Sequence, residues 1–318
     1  YKRGVQEMIQ KAEPGFSVDI GANAGETLRN ACTEVTSADD SDVCNLGSIN
    51  LSRITGEARL DRVVELGTLF LLAGSVYSSL PYTKVSETRR KNRRLGLGLM
   101  GIHEWLLQRG KKYGPDEDLA KWLDIYATSG EYAEKYANEH NLSVPVKTRA
   151  IAPTGTIGIV AETTTGIEPI FCVAYKRRTK EAQAIGDDKI TYQYVVDPTA
   201  KRLIDAGADP DQIEDAYSLS YNYEKRIEFQ GWVQKWVDHG ISSTINLPYA
   251  ITDLDEVDDF AETLYKYLPQ IRGITAYPDG SRGGQPLTAV PLSMAIGQEG
   301  VVFEEDEANA CASGACGA

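Results

Sequence analysis

The sequence predicts an α/β fold, and three observations carry that expectation. Stretches of helix length rich in apolar residues recur at 60–80, 223–239 and 253–272. Two short runs of strand character, 241–248 and 273–282, bracket the last of them, giving the order strand, helix, strand. The 318 residues are 42% hydrophobic and 25% charged, enough apolar material for one large domain or two ordinary ones.

Residues 1–12 predict a short helix, closed by Pro14-Gly15. The turn-rich segment 19–26 leads into Asn30-Ala31-Cys32-Thr33-Glu34, followed by Val43-Cys44-Asn45-Leu46-Gly47-Ser48. If the first stretch is extended, Asn30, Cys32 and Glu34 share a face, with neighbours in the trio roughly 6–7 Å apart. That face gathers an amide, a thiol and a carboxylate: a hydrogen-bond partner, a reactive sulfur and a general base. Alone, such a cysteine is more often a small buried hydrophobe and such a glutamate a solvated one. Cys44 tips the balance, because the polar loop 37–42 can return the chain to the same place.

Further along, 60–80 is too densely apolar for an exposed amphipathic helix and predicts a buried one ending before Pro81. The string Gly96-Leu97-Gly98-Leu99-Met100-Gly101 has the G-x-G-x-x-G spacing of a dinucleotide fingerprint. A basic run, Arg89 to Arg94, precedes it where that motif needs an apolar strand, so close backbone packing is the reading. Residues 115–141 predict a solvent-facing helix with Asp116, Glu117 and Asp118 at its amino end, as the helix dipole favours. Ile151-Ala152-Pro153-Thr154-Gly155-Thr156-Ile157-Gly158 is either an ordinary turn or a loop whose backbone N–H groups converge on an anion. Cys172, among apolar neighbours, reads as a structural thiol, and 176–215 as surface helices and loops. Apolar positions in 223–239 form a core-facing stripe, and 253–272 is a helix with acids first and cations last.

A net charge of −13 argues against a partner with a phosphate backbone, which selects a basic stripe. Nucleotides remain compatible, since a few local donors suffice for them. No apolar run is long enough for a bilayer and no targeting or lipidation motif is visible, so the expectation is cytoplasmic, with no nucleic acid and no membrane as partner. Five cysteines (32, 44, 172, 311, 316) are too sparse for a disulfide framework and read as reduced or redox-cycling thiols. The tail pair Cys311 and Cys316 lacks nearby histidines, so no metal site is expected there. Small residues between two terminal thiols suit a shuttle that enters a site, exchanges and leaves.

Asn-x-Cys-x-Glu followed by Cys-Asn-Leu-Gly-Ser-Ile-Asn-Leu resembles the active-site loop of the large, catalytic subunit of ribonucleotide reductases. The segment 151–158, with Thr163-Thr164-Thr165-Gly166-Ile167-Glu168-Pro169 after it, resembles the same family's phosphate-binding segment. Residues 241–248 and 273–282 are most like the adenosylcobalamin-dependent type, since Ala276-Tyr277-Pro278 replaces the two consecutive tyrosines of reductases served by a separate radical-generating subunit.

The resemblance implies the C-terminal part of a ten-stranded α/β barrel (1–296) with an active-site finger loop, followed by a mobile redox tail (297–318). It implies a ribonucleoside-diphosphate reductase using adenosylcobalamin. Cys32 would be the thiyl residue, with Asn30 and Glu34 as polar partners and Cys44 as one reducing thiol. Residues 30–34 and Pro153, Thr154, Gly155, Thr156 and Ile157 would hold substrate, and Cys311 and Cys316 would pass on electrons from a thioredoxin- or glutaredoxin-type reductant. No cysteine precedes Cys32 to serve as the second reducing thiol, and the chain begins at Tyr1. The expectation is therefore a C-terminal half completed by an N-terminal half, dimeric when whole. The alternatives are a reductase dependent on a separate subunit, a non-catalytic interaction module, and a thiol hydrolase in which folding brings His103 to Cys32.

Overall fold

Five short parallel strands set the frame, and most of their amino ends follow charged or polar residues. The computed structural model describes residues 1–21, 24–179, 190–281 and 287–305. Helix α1 (Lys2–Lys11) buries Val5, Met8 and Ile9 on one face and leads to β1 (Phe16–Ser17). Strands β2 (Leu28–Arg29) and β3 (Thr36–Ser37) pair antiparallel as the two legs of a narrow hairpin. Strand β4 (Asn45–Asn50) comes next, then α2 (Glu57–Tyr77), α3 (Thr83–Asn92) and β5 (Leu95–Met100), which lies parallel to β4 from Asn45↔Leu95 to Asn50↔Met100. Helices α4 (Ile102–Leu107), α5 (Glu117–Ala127) and α6 (Ser129–Glu139) lead to the run 149–151. That run bridges in parallel to Leu97 on one side and to Ile241 on the other.

Beyond it come α7 (Gly155–Val160), β6 (Ala174–Arg178), β7 (Ile190–Val196), α8 (Pro198–Asp205) and α9 (Tyr223–Val233). Strand β8 (Thr244–Leu247), α10 (Leu254–Tyr267) and β9 (Gly273–Pro278) complete the parallel set, with β1 antiparallel outside β9. Strand β10 (Leu287–Ala289), α11 (Leu292–Ala295) and β11 (Val302–Glu305) end the described chain. The parallel order is thus β4, β5, 149–151, 241–247, β9, the expected portion of an α/β barrel. A separate antiparallel sheet, β10-β6-β7-β11, stands beside it.

Burial explains the strand choice. All six residues of β5 are buried, the pattern of a parallel strand covered on both faces. One core joins β5 to α2, α4 and α5 through Leu60, Leu97, Trp105, Trp122 and Tyr126. A second joins α1, β8, β9 and α10 through Met8, Ile245, Phe260 and Ile274. The glycine string is itself the strand, and it permits close packing as expected. A Cβ on Gly98 would lie 2.5 Å from the Ala150 carbonyl oxygen, which is backbone and cannot swing away. Gly98→Ala is expected to cost about 1–3 kcal/mol, the usual price of overpacking, read as a lower denaturant midpoint at unchanged slope.

Several expectations need correction. Helix α2 is not buried all round: Leu66, Phe70 (78% exposed) and Tyr77 (85%) face outward, while Leu60, Val64, Leu71 and Leu72 pack inward. Residues 115–141 form two helices broken at Thr128, and α5 buries Leu119, Trp122, Leu123 and Tyr126. Apolar residues at 119, 122, 123 and 126 mark one helical face, which the acidic start obscured. The polar segment 176–215 contains strand pairing between β6 and β7 besides α8. Within the segment expected as a tail from 297, residues 302–305 form β11 and pair with β7 from Val302↔Gln193 to Glu305↔Ile190. Cys311 and Cys316 lie outside the described residues. Among the described residues, no helix is long and apolar enough to cross a membrane.

Candidate active site

The hairpin of β2 and β3 carries Asn30, Cys32 and Glu34 at its tip, but not on an extended strand. The Thr33 N–H donates to the Asn30 carbonyl at 3.0 Å, and Thr33 takes φ 66°, so the tip is a tight turn. The Asn30 side-chain oxygen accepts the Val35 N–H at 3.0 Å, which closes the turn from inside and leaves the amide nitrogen end for a ligand. A β-branched residue at positive φ is an uncommon conformation that surrounding contacts must hold. Here they do. The Gly240 N–H donates to the Glu34 carbonyl at 2.7 Å, and a Cβ on Gly240 would sit 2.8 Å from the Thr33 oxygen. Thr36 meets His239 while Glu34 meets Gly240, so the finger runs with the strand it lies on, its tip toward the carboxyl ends.

Cys32 is exposed, Cys44 half-buried and Glu34 buried, at 1% exposure. Oxygen Oε2 of Glu34 is buried and without a hydrogen-bond partner. A carboxylate oxygen so placed is costly unless something else supplies a donor. The charge of Glu34 bears on both thiols. Burial pushes the Cys32 thiol up, and Glu34 adds to the shift. Burial pushes Cys44 up to about 12, with Arg94 opposing and Asp42, Glu34 and Asp238 reinforcing. Cys44 immediately precedes β4 and packs on β5, where a Cβ on Gly96 would lie 3.1 Å from its sulfur. The Glu34 charge thus reaches both thiols. Only the thiolate is nucleophilic, so Cys32 is expected to alkylate first. The Cys44 rate is expected to keep climbing about tenfold per pH unit from pH 8 to 11, as peptide mapping after iodoacetamide would show.

The base of the finger is fixed by charged groups that the sequence reading passed over. Glu26 accepts hydrogen bonds from Lys147, from Thr36 Oγ1 at 2.7 Å and from Arg94 Nη1 at 3.1 Å. Arg94 Nε also donates to Asp42 at 2.6 Å, and Lys147 Nζ to Thr36 Oγ1 at 3.0 Å. The Thr36 N–H donates to His239 Nδ1 at 3.1 Å. Burial and the surrounding cations Lys147, Arg94, Arg149 and Arg29 hold that imidazole neutral. A signal was available for one of them: Arg94 stands just before the apolar run 95–100.

Of the residues expected to hold phosphate, Thr154 is buried with φ 52° and precedes α7, while Pro153, Gly155, Thr156 and Ile157 are exposed. Thr154 Oγ1 accepts the Gly166 N–H at 2.8 Å, tying this loop to the 163–169 segment. Finger and loop stand on linked strands: Gly240, which holds Glu34, accepts the Ile151 N–H at 3.2 Å. A cavity of about 620 Å³ opens at the carboxyl ends of β8 and β9, bounded by Gly155, Thr156, Glu168, Tyr217, Asn246 and Tyr277 among others. None of Asn30, Cys32, Glu34 or Cys44 lines it. His103 is fully buried, its Nδ1 accepting the Ile170 N–H and its ring edge-on to Tyr113, so it is no base for Cys32. Cys172 is buried, with its thiol pushed up to about 12 by burial and Asp215. No cluster of potential metal ligands occurs among the described residues.

Residues 5–139 and 146–270 match the family described as ribonucleotide reductase, barrel domain. A Mycobacterium phage D29 protein named as an adenosylcobalamin-dependent ribonucleoside-triphosphate reductase is 29% identical over 97% of this chain and 50% of its own length. A Mycobacterium tuberculosis protein named vitamin B12-dependent ribonucleoside-diphosphate reductase is 28% identical over 86% of this chain and 44% of its own. The crystal structure of a B12-dependent (class II) ribonucleotide reductase superposes with TM-score 0.74 at 17% identity, covering 93% of this chain and 47% of that one. The chain spans about half the length of the curated relatives it matches. It belongs to the ribonucleotide reductase family and carries part of that family's barrel domain.

Proposed function

We propose that this chain is the C-terminal half of a ribonucleotide reductase catalytic subunit, reducing ribonucleotides to deoxyribonucleotides by thiyl-radical chemistry. The observation that carries the reading is the buried Glu34 carboxylate, one oxygen unpartnered, whose charge bears on both Cys32 and Cys44. In the proposed cycle, the Cys32 thiyl removes hydrogen from C3′ of the substrate. Glu34 takes the 3′-hydroxyl proton, and the amide nitrogen of Asn30 hydrogen-bonds the sugar. The 2′-hydroxyl leaves as water. Cys44 and a second thiol give two electrons and two protons, ending as a disulfide, and Cys32 returns its hydrogen to C3′. The loop from Pro153 to Ile157 is the proposed seat of the substrate's phosphates, with a diphosphate as the expected substrate.

The proposed radical source is adenosylcobalamin, which supplies an oxidising radical by homolysis of its cobalt–carbon bond. Strand β9 contributes one tyrosine, Tyr277, to the cavity and its neighbour Ala276 is buried, so no tyrosine pair occupies this strand. A cavity of about 620 Å³ has the size of sites for drug-sized ligands. It fits a nucleoside-sized part of such a cofactor, with Tyr217, Asn246 and Tyr277 around it, and is too small to enclose a corrin ring.

The second thiol is assigned to an N-terminal half. Strand β4 has a strand partner only on its β5 side among the described residues. Leu46 and the Leu66, Phe70 and Tyr77 face of α2 are exposed. An open parallel edge beside exposed apolar side chains is where further strands would join. The test mixes this chain with the N-terminal half, adenosylcobalamin, a dithiol and ribonucleoside di- or triphosphates. Deoxyribonucleotide should form only with all components present. Turnover by this chain without the other half would overturn the split, and turnover without cobalamin would overturn the cofactor.

A further inference from the structure

We infer that Glu26 is a positioning residue: it latches both legs of the finger loop to the parallel sheet and thereby sets where Cys44 and Glu34 stand. The inference rests on the proposed reductase reading for its catalytic consequence, but the latch itself is geometric. Glu26 lies ahead of the first leg, Thr36 on the second, and Asp42 just beyond it. The carboxylate of Glu26 collects donors from three separate places: Lys147 ahead of 149–151, Arg94 ahead of β5, and Thr36 within the finger. Arg94 carries the connection on, donating to Asp42 on the far side of the finger. Asp42 also accepts from Asn92 Nδ2 and Ser37 Oγ, each at 2.8 Å.

The latch lies largely out of water. Arg94 is 4% exposed, Lys147 9% and Thr36 0%. Two acids and two cations balance in this space, so each charge depends on the others. Removing Glu26 strips Lys147 and Arg94 of a shared counter-charge and Thr36 of its nearer acceptor in one step. Among the described residues, no other carboxylate receives donors from Thr36 and from the starts of two strands. The strands beneath keep their own ladders and apolar cores, so the expected response is local opening of the finger and not loss of the fold.

The chain supplies its own control. Cys44 and Cys172 are both thiols pushed up to about 12 by burial, but Cys172 lies outside the finger. Glu26→Gln in the full chain, alkylated with iodoacetamide at pH 8 and mapped by mass spectrometry, should speed labelling of Cys44 roughly tenfold while Cys172 is unchanged. Because Glu26→Gln leaves Lys147 buried beside a neutral amide, the double variant Glu26→Gln/Lys147→Met provides a second measurement. It should keep the fast Cys44 labelling with wild-type labelling of Cys172. Unchanged Cys44 in both variants, or equal acceleration of Cys44 and Cys172 in both, overturns the latch. In the enzyme joined to its N-terminal half, Glu26→Gln should lower kcat roughly tenfold or more with KM for the nucleotide held. A fall in kcat/KM arising wholly from KM would contradict it. Labelling requires no turnover, so the latch stands or falls separately from the reductase reading.

Discussion

Cys32→Ser in the completed enzyme should abolish reduction while leaving nucleotide binding in place. The two thiols differ in kind. Cys32 sits exposed at the tip of a turn, available to a substrate, whereas Cys44 is half-buried against β5. A serine hydroxyl keeps the size and the hydrogen bonding of residue 32 but cannot carry a sulfur radical. Because that group starts the proposed cycle, the loss should be on the order of 10⁴-fold or more, the scale seen when an essential reacting group is deleted. Product formation by chromatography and nucleotide affinity by calorimetry separate the two effects. Retained turnover in the serine variant would remove Cys32 from the mechanism.

Glu34→Gln should cost about 10²–10⁴-fold in turnover, the range for a general base, again with binding largely kept. It also makes a prediction that needs no activity. Burial raises the Cys32 thiol pKa first and the Glu34 charge raises it further. Neutralising residue 34 removes the second contribution, so the folded-state pKa of Cys32 falls and its thiolate fraction at pH 8 rises. Alkylation of Cys32 should therefore become faster in the variant that turns over more slowly. Cys44 should move in the same direction, since Glu34 is among the charges raising it. If neither thiol responds, the carboxylate does not share their site.

Apolar patterning made the frame legible. The runs at 241–248 and 273–282 and the helix between them stand close to where the sequence placed them, because strand and helix there obey simple periodicity. Asp253 caps α10 by accepting from the Asp255 and Glu256 N–H groups, as the acid-first pattern indicated. The finger was legible as a set of residues but not as a shape. Period-two spacing of Asn30, Cys32 and Glu34 suggested a strand, whereas the Thr33 turn is dictated by Gly240, two hundred positions away, and by the Asn30 side chain. The latch at Glu26 was invisible for the same reason: its partners at 94 and 147 are joined only by folding. Helix α2 misled because its outward face is as apolar as its inward one, a pattern that periodicity cannot resolve.

The most direct test of radical chemistry at residue 32 uses ribonucleotide tritiated at C3′ with the completed, cobalamin-loaded enzyme. The account predicts a kinetic isotope effect on reduction, with no deoxyribonucleotide formed by the Cys32→Ser variant. Deoxyribonucleotide formed without any C3′ isotope effect, or formed by the serine variant, would contradict it.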